Sequence, residues 1–210
     1  MIANQKMKGN NGYENLLFPL DYLRVTQGEH SSTYYAMDFS GWGESGKIYQ
    51  CPYYAPCSCT AKYVSSSVDN PYVIWQSDDK VNFIDGTIDY ICILVGHDDN
   101  IADFKVGDTR SQGDLLGHTG NLGLSSGDHL HMYIGRGQWG KECKWVNTGT
   151  SAEPIWRFST QYHIYKAMGI NDTNIVNTGG YNWQEFTNDV KPNKPNIIPL
   201  SLVNALKWSI

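Results

Sequence analysis

The chain has 210 residues, of which 40% are hydrophobic and 18% charged, and its formal net charge is −5. This balance is typical of a globular protein and excludes wholesale disorder. The acidic charge and the lack of a Lys/Arg-rich run argue against a nucleic-acid-binding surface. No run of ~18 apolar residues occurs, so we expect no insertion into a membrane.

The chain opens with a polar segment rich in Gly and Asn, and we interpret residues 1–15 as an N-terminal arm. It has no apolar core of the kind found in secretory signal peptides, so we expect no leader. From residue 16 to 149 the pattern is one of strands and turns. Runs of β-branched and aromatic residues predict strands at 48–55, 60–65, 72–76, 88–95 and 129–134. These features predict a mainly β domain, an antiparallel β-sheet sandwich.

The last part of the chain has a different pattern. Glu153–Met168 predicts a helix, with Ser151 as a suitable N-cap. Residues 171–199 are rich in Asn, Thr, Gly and Pro and predict a loop, and residues 200–210 form a short apolar tail. We therefore interpret residues 150–210 as a mostly helical or irregular C-terminal extension, which either docks elsewhere or packs on the β domain.

The five cysteines have no spacing typical of a zinc ribbon or a redox motif, and we predict that all are free thiols.

Six histidines occur in the chain, and three have informative positions. His129 and His131 are two residues apart in a predicted strand, so both rings project from one face. Such a pair can bind a metal with one ring and transfer protons with the other, although chance also produces this spacing. His97 follows a buried strand, at a position where active-site residues are common, and this strengthens the case for a site; the alternative is a solvent-exposed turn residue beside Asp98 and Asp99. We interpret His163 as structural.

Four segments in order resemble a known family. The sequence LGHTGNLGLSSGDHLHMYIG (Leu116–Gly135) resembles the signature of lysostaphin-type (LytM-like) zinc endopeptidases, which cut peptide cross-bridges and stems in bacterial peptidoglycan. Upstream, Tyr49–Pro56, Tyr90–His97 and Val106–Gly117 are similar to the other segments of that family. The resemblance covers residues 16–140, and it implies an open active-site groove between loops in a zinc endopeptidase domain at 16–149.

The resemblance implies one zinc ion per chain. The family's first ligands follow an H-x-x-x-D pattern, and Asp38 matches its aspartate, but Tyr34 stands where the histidine belongs. Either the loop is longer and His30 reaches the metal, or the site is degenerate. We favour the first interpretation, because His30 is the only histidine before His97 and a short loop insertion costs little entropy. The expected ligands are therefore His30, Asp38 and His131.

The resemblance also implies roles for the remaining histidines. His97 and His129 are the expected catalytic pair, which accepts a proton from water, stabilises the oxyanion and protonates the leaving amine; the sequence does not divide these roles. His118 is expected in the groove wall. Four aromatic residues are candidates for lining the groove, and each could equally belong to the core: Tyr53, Tyr54, Trp75 and Tyr133.

The expected partner is a peptidoglycan peptide, together with other phage tail proteins. A leaderless wall hydrolase suggests a bacteriophage enzyme, located in the virion tail or released to the host cell wall. The alternative is a catalytically inactive relative of the same fold that serves as a cell-wall-binding or virion structural module.

Overall fold

The computed structural model describes residues 4, 6–20, 23–30, 35–43, 45–65, 67–168 and 175–177. Tyr34, the position at which the sequence departs from the family pattern, lies outside the described residues. So do the predicted tail at 200–210 and most of the predicted loop at 171–199.

Short strands dominate the described part of the chain. The strands are β1 (Glu14–Asn15), β2 (Leu23–His30), β3 (Ala36–Gly43), β4 (Gly46–Ile48), β5 (Pro52–Tyr54), β6 (Cys59–Ser65), β7 (Tyr72–Ser77), β8 (Val81–Asn82), β9 (Ile88–Asp89), β10 (Ile91–Gly96), β11 (Thr109–Arg110), β12 (Leu115–His118), β13 (Leu130–Arg136), β14 (Trp145–Asn147), β15 (Trp156–Phe158), β16 (Gln161–Tyr162) and β17 (Ile175–Asn177). A 3₁₀ turn at Ile101–Asp103 and α1 (Ile164–Ala167) are the helical elements among the described residues.

One large sheet organises the fold. Within the described residues it has ten strands in the order β11-β6-β7-β10-β13-β3-β2-β17, with β16 paired to β13 and β4 to β3. Its pairs are antiparallel except for β17 with β2. The predicted mainly β, antiparallel architecture is confirmed, and the predicted strands at 60–65 and 72–76 coincide with β6 and β7.

The sheet buries apolar side chains on both faces. Strand alternation sends Met37, Phe39, Leu130 and Met132 into the larger cluster, which also receives Leu16 and other side chains from the segments outside the sheet. The opposite face carries a smaller aromatic cluster that includes Tyr133 and Phe158. Because Asp38 and His131 alternate with core residues of the larger cluster, they lie on the face of the smaller one.

The segments at both ends of the described chain contact the β domain. Glu14 accepts hydrogen bonds from the backbone N–H and the hydroxyl of Ser58, at 2.6 and 2.7 Å. Ile164 and Tyr165 of α1 are buried in the larger cluster. The division into arm, catalytic domain and extension stays a prediction.

The helix predicted over Glu153–Met168 is wrong for most of its length. Trp156–Phe158 pairs with β14, and Gln161–Tyr162 pairs with β13, so only Ile164–Ala167 is helical. Phe158 is buried in the aromatic cluster, and pairing with neighbouring strands outweighs the helix-start signal at Ser151.

All five cysteines are free, as predicted. Among the described residues, no helix is long and apolar enough to cross a bilayer.

Leu130 tests how far the core supports the site, because its side chain is fully buried beneath the strand that carries the histidine pair. We expect Leu130→Ala to lower the free energy of unfolding by about 2–5 kcal/mol, through lost burial and the cavity left behind. The matched control is Leu124→Ala, since Leu124 is 78% exposed, and it should change stability by less than about 0.5 kcal/mol. Chemical denaturation measures both; equal effects would contradict the described burial of β13.

Candidate active site

Strand register brings Asp38 and His131 together. In the pairing of β13 with β3, His131 lies opposite Asp38, and on its other side it lies opposite Gly96 of β10. Directly opposed residues point to the same face of a sheet. The Nδ1 atom of His131 is therefore 2.8 Å from Oδ1 of Asp38, although the two residues are far apart in the chain.

His30 lies on the same face as Asp38. Strand β2 has two one-residue register shifts against β3, one between Val25 and Gln27 and one between Gln27 and His30. Each shift reverses the alternation of side chains, so the two together restore it, and His30 lies opposite Ala36 on the face that Ala36 shares with Asp38. Nε2 of His30 is therefore 3.5 Å from Oδ2 of Asp38.

These three residues form a group that could hold a metal ion. One ligand atom from each of His30, Asp38 and His131 lies within 4.8 Å of the others. Their side chains are 16%, 11% and 20% exposed, so the cluster is largely shielded from solvent but not sealed from it. Two imidazole nitrogens and one carboxylate oxygen are the donor set of catalytic zinc sites, which keep one coordination position open. The residues therefore fit zinc.

His97 and His129 lie beside this group. Their ring centroids are 4.7 Å apart, and the ring of His97 is 5.6 Å from that of His131. Nε2 of His129 is 3.5 Å from Oδ2 of Asp38. The structure thus brings all five residues chosen from the sequence into one cluster. His97, His129 and His131 also form a second possible metal-binding group, so geometry alone leaves two arrangements that share His131.

Backbone carbonyls orient three of the rings. Nδ1 of His30 contacts the carbonyl oxygen of Gly28 at 2.8 Å, that of His97 contacts Leu122 O at 2.7 Å, and that of His129 contacts Gly127 O at 2.6 Å. A carbonyl oxygen only accepts hydrogen bonds, so Nδ1 carries the proton in each ring. In the neutral form, Nε2 then keeps its lone pair for a metal or for a proton.

Burial lowers the pKa of two histidines in the cluster, His30 and His97. It lowers the pKa of His97, and neither the hydrogen bond to Leu122 nor the charge of Asp38 compensates. Burial lowers the pKa of His30 in the same way, against the raising effect of Asp38. For Asp38, burial alone would raise the pKa, but the hydrogen bond from His131 and the nearby histidines outweigh it and lower it. At neutral pH the site therefore holds a carboxylate and neutral imidazoles at positions 30 and 97.

Two buried carboxylates beside the histidines were missed by the sequence analysis. Asp98 is fully buried, although it lies in an acidic turn for which the sequence left a solvent-exposed position open. Asp128 accepts hydrogen bonds from the Thr119 hydroxyl at 2.7 Å and from the backbone N–H of Gln50 at 2.8 Å. Each aspartate is adjacent in sequence to a site histidine, and that adjacency was the available signal.

The other candidate residues have different positions. His118 is half-buried, and its backbone N–H donates to Asp98 at 2.9 Å. Nδ1 of His163 contacts Oε1 of Glu29 at 2.5 Å, in keeping with the structural role expected for this histidine. Three of the four aromatic candidates are fully buried core residues and do not line a groove: Tyr53, Trp75 and Tyr133. The fourth, Tyr54, is half-buried.

Comparison with known proteins adds a phage relative. No protein-family model matches the chain. It is 36% identical over 181 residues to Morphogenesis protein 1 of Bacillus phage B103. The chain is similar to a phage morphogenesis protein. The match covers 84% of this chain and 46% of the relative, so the chain spans about half the length of that protein.

The structural neighbours are peptidases of the type that the sequence resembles. They include a zinc-containing peptidase from Vibrio cholerae (17% identity, 61% of this chain and 42% of that one, TM-score 0.41). A putative M23 peptidase from Pseudomonas aeruginosa has 18% identity over 58% of this chain and 46% of its own, with a TM-score of 0.36. The lysostaphin catalytic domain from Staphylococcus simulans has 21% identity over 63% and 80%, with a TM-score of 0.33.

The lowered histidine pKa values predict how stability depends on pH in the metal-free protein. Because the pKa values of His30 and His97 lie below the ordinary 6.5, the unfolded state binds protons more readily than the folded state. The free energy of unfolding should therefore fall as the pH drops through about 6.5 towards the lower folded values, and it should level off below them. Urea denaturation in the presence of a chelator, at pH values between about 8 and 5, measures this.

His97→Gln is the matched variant, because glutamine has no titrating group, and it should flatten part of the slope. Identical slopes in the two proteins would show that the pKa of His97 is not lowered.

Proposed function

We propose that the chain is a zinc-dependent endopeptidase that hydrolyses peptide cross-links or stem peptides of bacterial peptidoglycan. The observation that carries this proposal is the convergence of His30, Asp38 and His131 on one point, with His97 and His129 beside it. All five residues lie in the stretch 16–149, which we take as the catalytic domain. The similarity to the lysostaphin-type motifs agrees with this assignment.

The proposed ligands are His30 through Nε2, Asp38 through its carboxylate and His131. A zinc ion held there would act as a Lewis acid towards the scissile carbonyl and would make water a stronger acid. The second histidine group, with His97 and His129, is assigned to proton transfer. Two reasons favour the ligand set that contains Asp38. The lysostaphin-type pattern leaves His97 and His129 unligated. A carboxylate ligand also lowers the net charge of the metal centre.

His97 and His129 act on protons in this mechanism. Each donates its Nδ1 proton to a backbone carbonyl, which leaves Nε2 as the nitrogen that exchanges protons. One ring accepts the proton of the attacking water, and a protonated ring then donates a proton to the leaving amine, so that the amine leaves uncharged. The lowered pKa of His97 keeps it unprotonated at neutral pH, which suits the base. A protonated imidazole in the same cluster also stabilises negative charge on the carbonyl oxygen.

The biological setting is proposed from the relative. Morphogenesis protein 1 is a phage protein, and we propose that this chain acts on the host cell wall during phage entry or release, from the virion tail or after liberation. The same relative favours a second candidate, a virion structural module that holds the wall without cutting it. The two candidates differ in metal content and in released products, so one set of measurements separates them.

Removal of a proposed ligand tests the metal site. We expect His30→Ala to lower zinc affinity by more than about 100-fold, since loss of a partner outside the ligand shell already costs 10–100-fold. Release of soluble peptides from purified cell walls should be lost with the metal. Zinc content by elemental analysis and muropeptides by mass spectrometry measure the two effects.

His118→Ala is the matched control, because His118 contributes its backbone N–H and not its ring to the hydrogen bond with Asp98. It should keep one zinc ion per chain. A His30→Ala protein that still binds zinc and still cuts walls would refute the proposed ligand set. A metal-free, inactive wild-type protein would favour the structural module.

Substitution of the proton-transfer pair should separate metal binding from catalysis. His97→Gln and His129→Gln keep the proposed ligands, so zinc content should stay at one ion per chain. The rate of peptide release should fall by about 10²–10⁴-fold, the usual contribution of general acid–base catalysis. Loss of zinc from either variant would assign His97, His129 and His131 as the metal ligands instead.

A further inference from the structure

We propose that Asp98 is a positioning residue, which holds the imidazole of His97 in the orientation needed for proton transfer. This inference rests on the proposed function of His97. Asp98 does not reach the reacting atoms itself, since its side chain is fully buried and both carboxylate oxygens accept hydrogen bonds from the protein.

The backbone at His97 needs external support. Its φ is +66°, in the left-handed region that non-glycine residues seldom adopt. Such a conformation persists where surrounding contacts fix it, and such positions cluster at functional sites. Gly96 before it ends β10, so the unusual conformation turns the chain out of the sheet at the point where the His97 ring enters the cluster.

Asp98 supplies that support through three charge-assisted hydrogen bonds. Oδ2 accepts from the Tyr53 hydroxyl at 2.9 Å and from the backbone N–H of His118 at 2.9 Å. Oδ1 accepts from the backbone N–H of Asn100 at 2.8 Å, which closes the turn that follows His97. A buried carboxylate is costly unless it is hydrogen-bonded in this way, so removal of its charge or geometry disturbs all three segments.

A pair of hydrogen bonds with Leu122 sets the orientation of the His97 ring. Its Nδ1 donates to the carbonyl of Leu122, and the N–H of Leu122 donates back to His97 O at 3.1 Å. The segment containing Leu122 must therefore keep its place against the His97 turn. Gly117 and Gly120 permit this close approach, because a Cβ at Gly117 would lie 2.2 Å from Asp98 Oδ2 and one at Gly120 would lie 2.3 Å from His97 O. Asp98 joins these two segments through its bond to His118, next to Gly117.

The test replaces Asp98 with its near-isosteric amide. Asp98→Asn keeps one oxygen but presents an NH₂ group to at least one of the three donors, so the bond there is lost. We expect zinc content to remain at one ion per chain, because no proposed ligand is altered. We expect kcat for a soluble muropeptide to fall by about 10–100-fold, a loss of the size that partners of functional side chains typically produce, with little change in KM.

The diagnostic readout is the ring of His97 itself, followed by ¹⁵N NMR and assigned by its absence in His97→Gln. In the wild type at neutral pH the ring should be held as the Nδ1-protonated form with a slowly exchanging proton. In Asp98→Asn it should become a mixture of tautomers with a fast-exchanging proton. This readout needs no catalysis. If the wild-type protein never cuts walls but Asp98→Asn still changes the tautomer of His97, the proposed function is refuted and the positioning role is retained.

Two further variants complete the design. Asp108→Asn is the matched control, since Oδ2 of Asp108 accepts a backbone N–H at 2.9 Å in an exposed turn, and it should leave the ring signal and kcat unchanged. Tyr53→Phe removes a single donor from Asp98 and should produce a smaller shift of the same kind; it decides the question if Asp98→Asn does not fold. A folded Asp98→Asn or Tyr53→Phe protein with an unaltered His97 ring signal overturns the proposal, whatever its rate.

Discussion

The site depends on the register in which β13 lies between β3 and β10. That register sets His131 opposite Asp38 and leaves only the hydrogen atom of Gly96 on the other side. A slip by one residue would turn His131 into the core and bring the apolar residues Leu130 and Met132 to the site face. The fully buried Leu130 opposes such a slip, because its exposure would forfeit the burial that stabilises the strand. The same strand register thus places the core residues on one face of the sheet and the site residues on the other.

In three rings of the polar cluster, those of His30, His97 and His129, the two nitrogens have different partners. The backbone carbonyls of Gly28, Leu122 and Gly127 accept the Nδ1 protons, and the Nε2 atoms of His30 and His129 lie 3.5 Å from the carboxylate of Asp38. Burial disfavours charged imidazoles at positions 30 and 97. At neutral pH these two rings therefore do not form ion pairs with the carboxylate of Asp38. A neutral imidazole is the state that both metal binding and proton transfer require.

The sequence could predict those parts of the molecule that follow local periodicity. Alternation identified β6, β7 and β13, and the spacing of His129 and His131 placed two rings on one side of a strand. Sequence-based prediction failed where a partner distant in the chain determines the secondary structure. Trp156–Phe158 pairs with β14 and does not form the predicted helix. Sequence-based prediction also failed to assign Asp98, because an acidic pair after a strand resembles a solvated turn until Tyr53 and the backbone of His118 are seen to surround it.

His30 shows why the spacing of ligands in a sequence is a weak guide to their position in the fold. The family pattern sets a histidine four residues before the aspartate, whereas here the separation is eight. His30 and Asp38 lie on different strands, so the register of β2 against β3 decides which face His30 occupies. The two one-residue shifts in β2, between Val25 and Gln27 and between Gln27 and His30, each reverse the alternation and together restore it. His30 therefore lies opposite Ala36 on the face of Asp38, and the greater separation costs little because loop-closure entropy rises slowly with length.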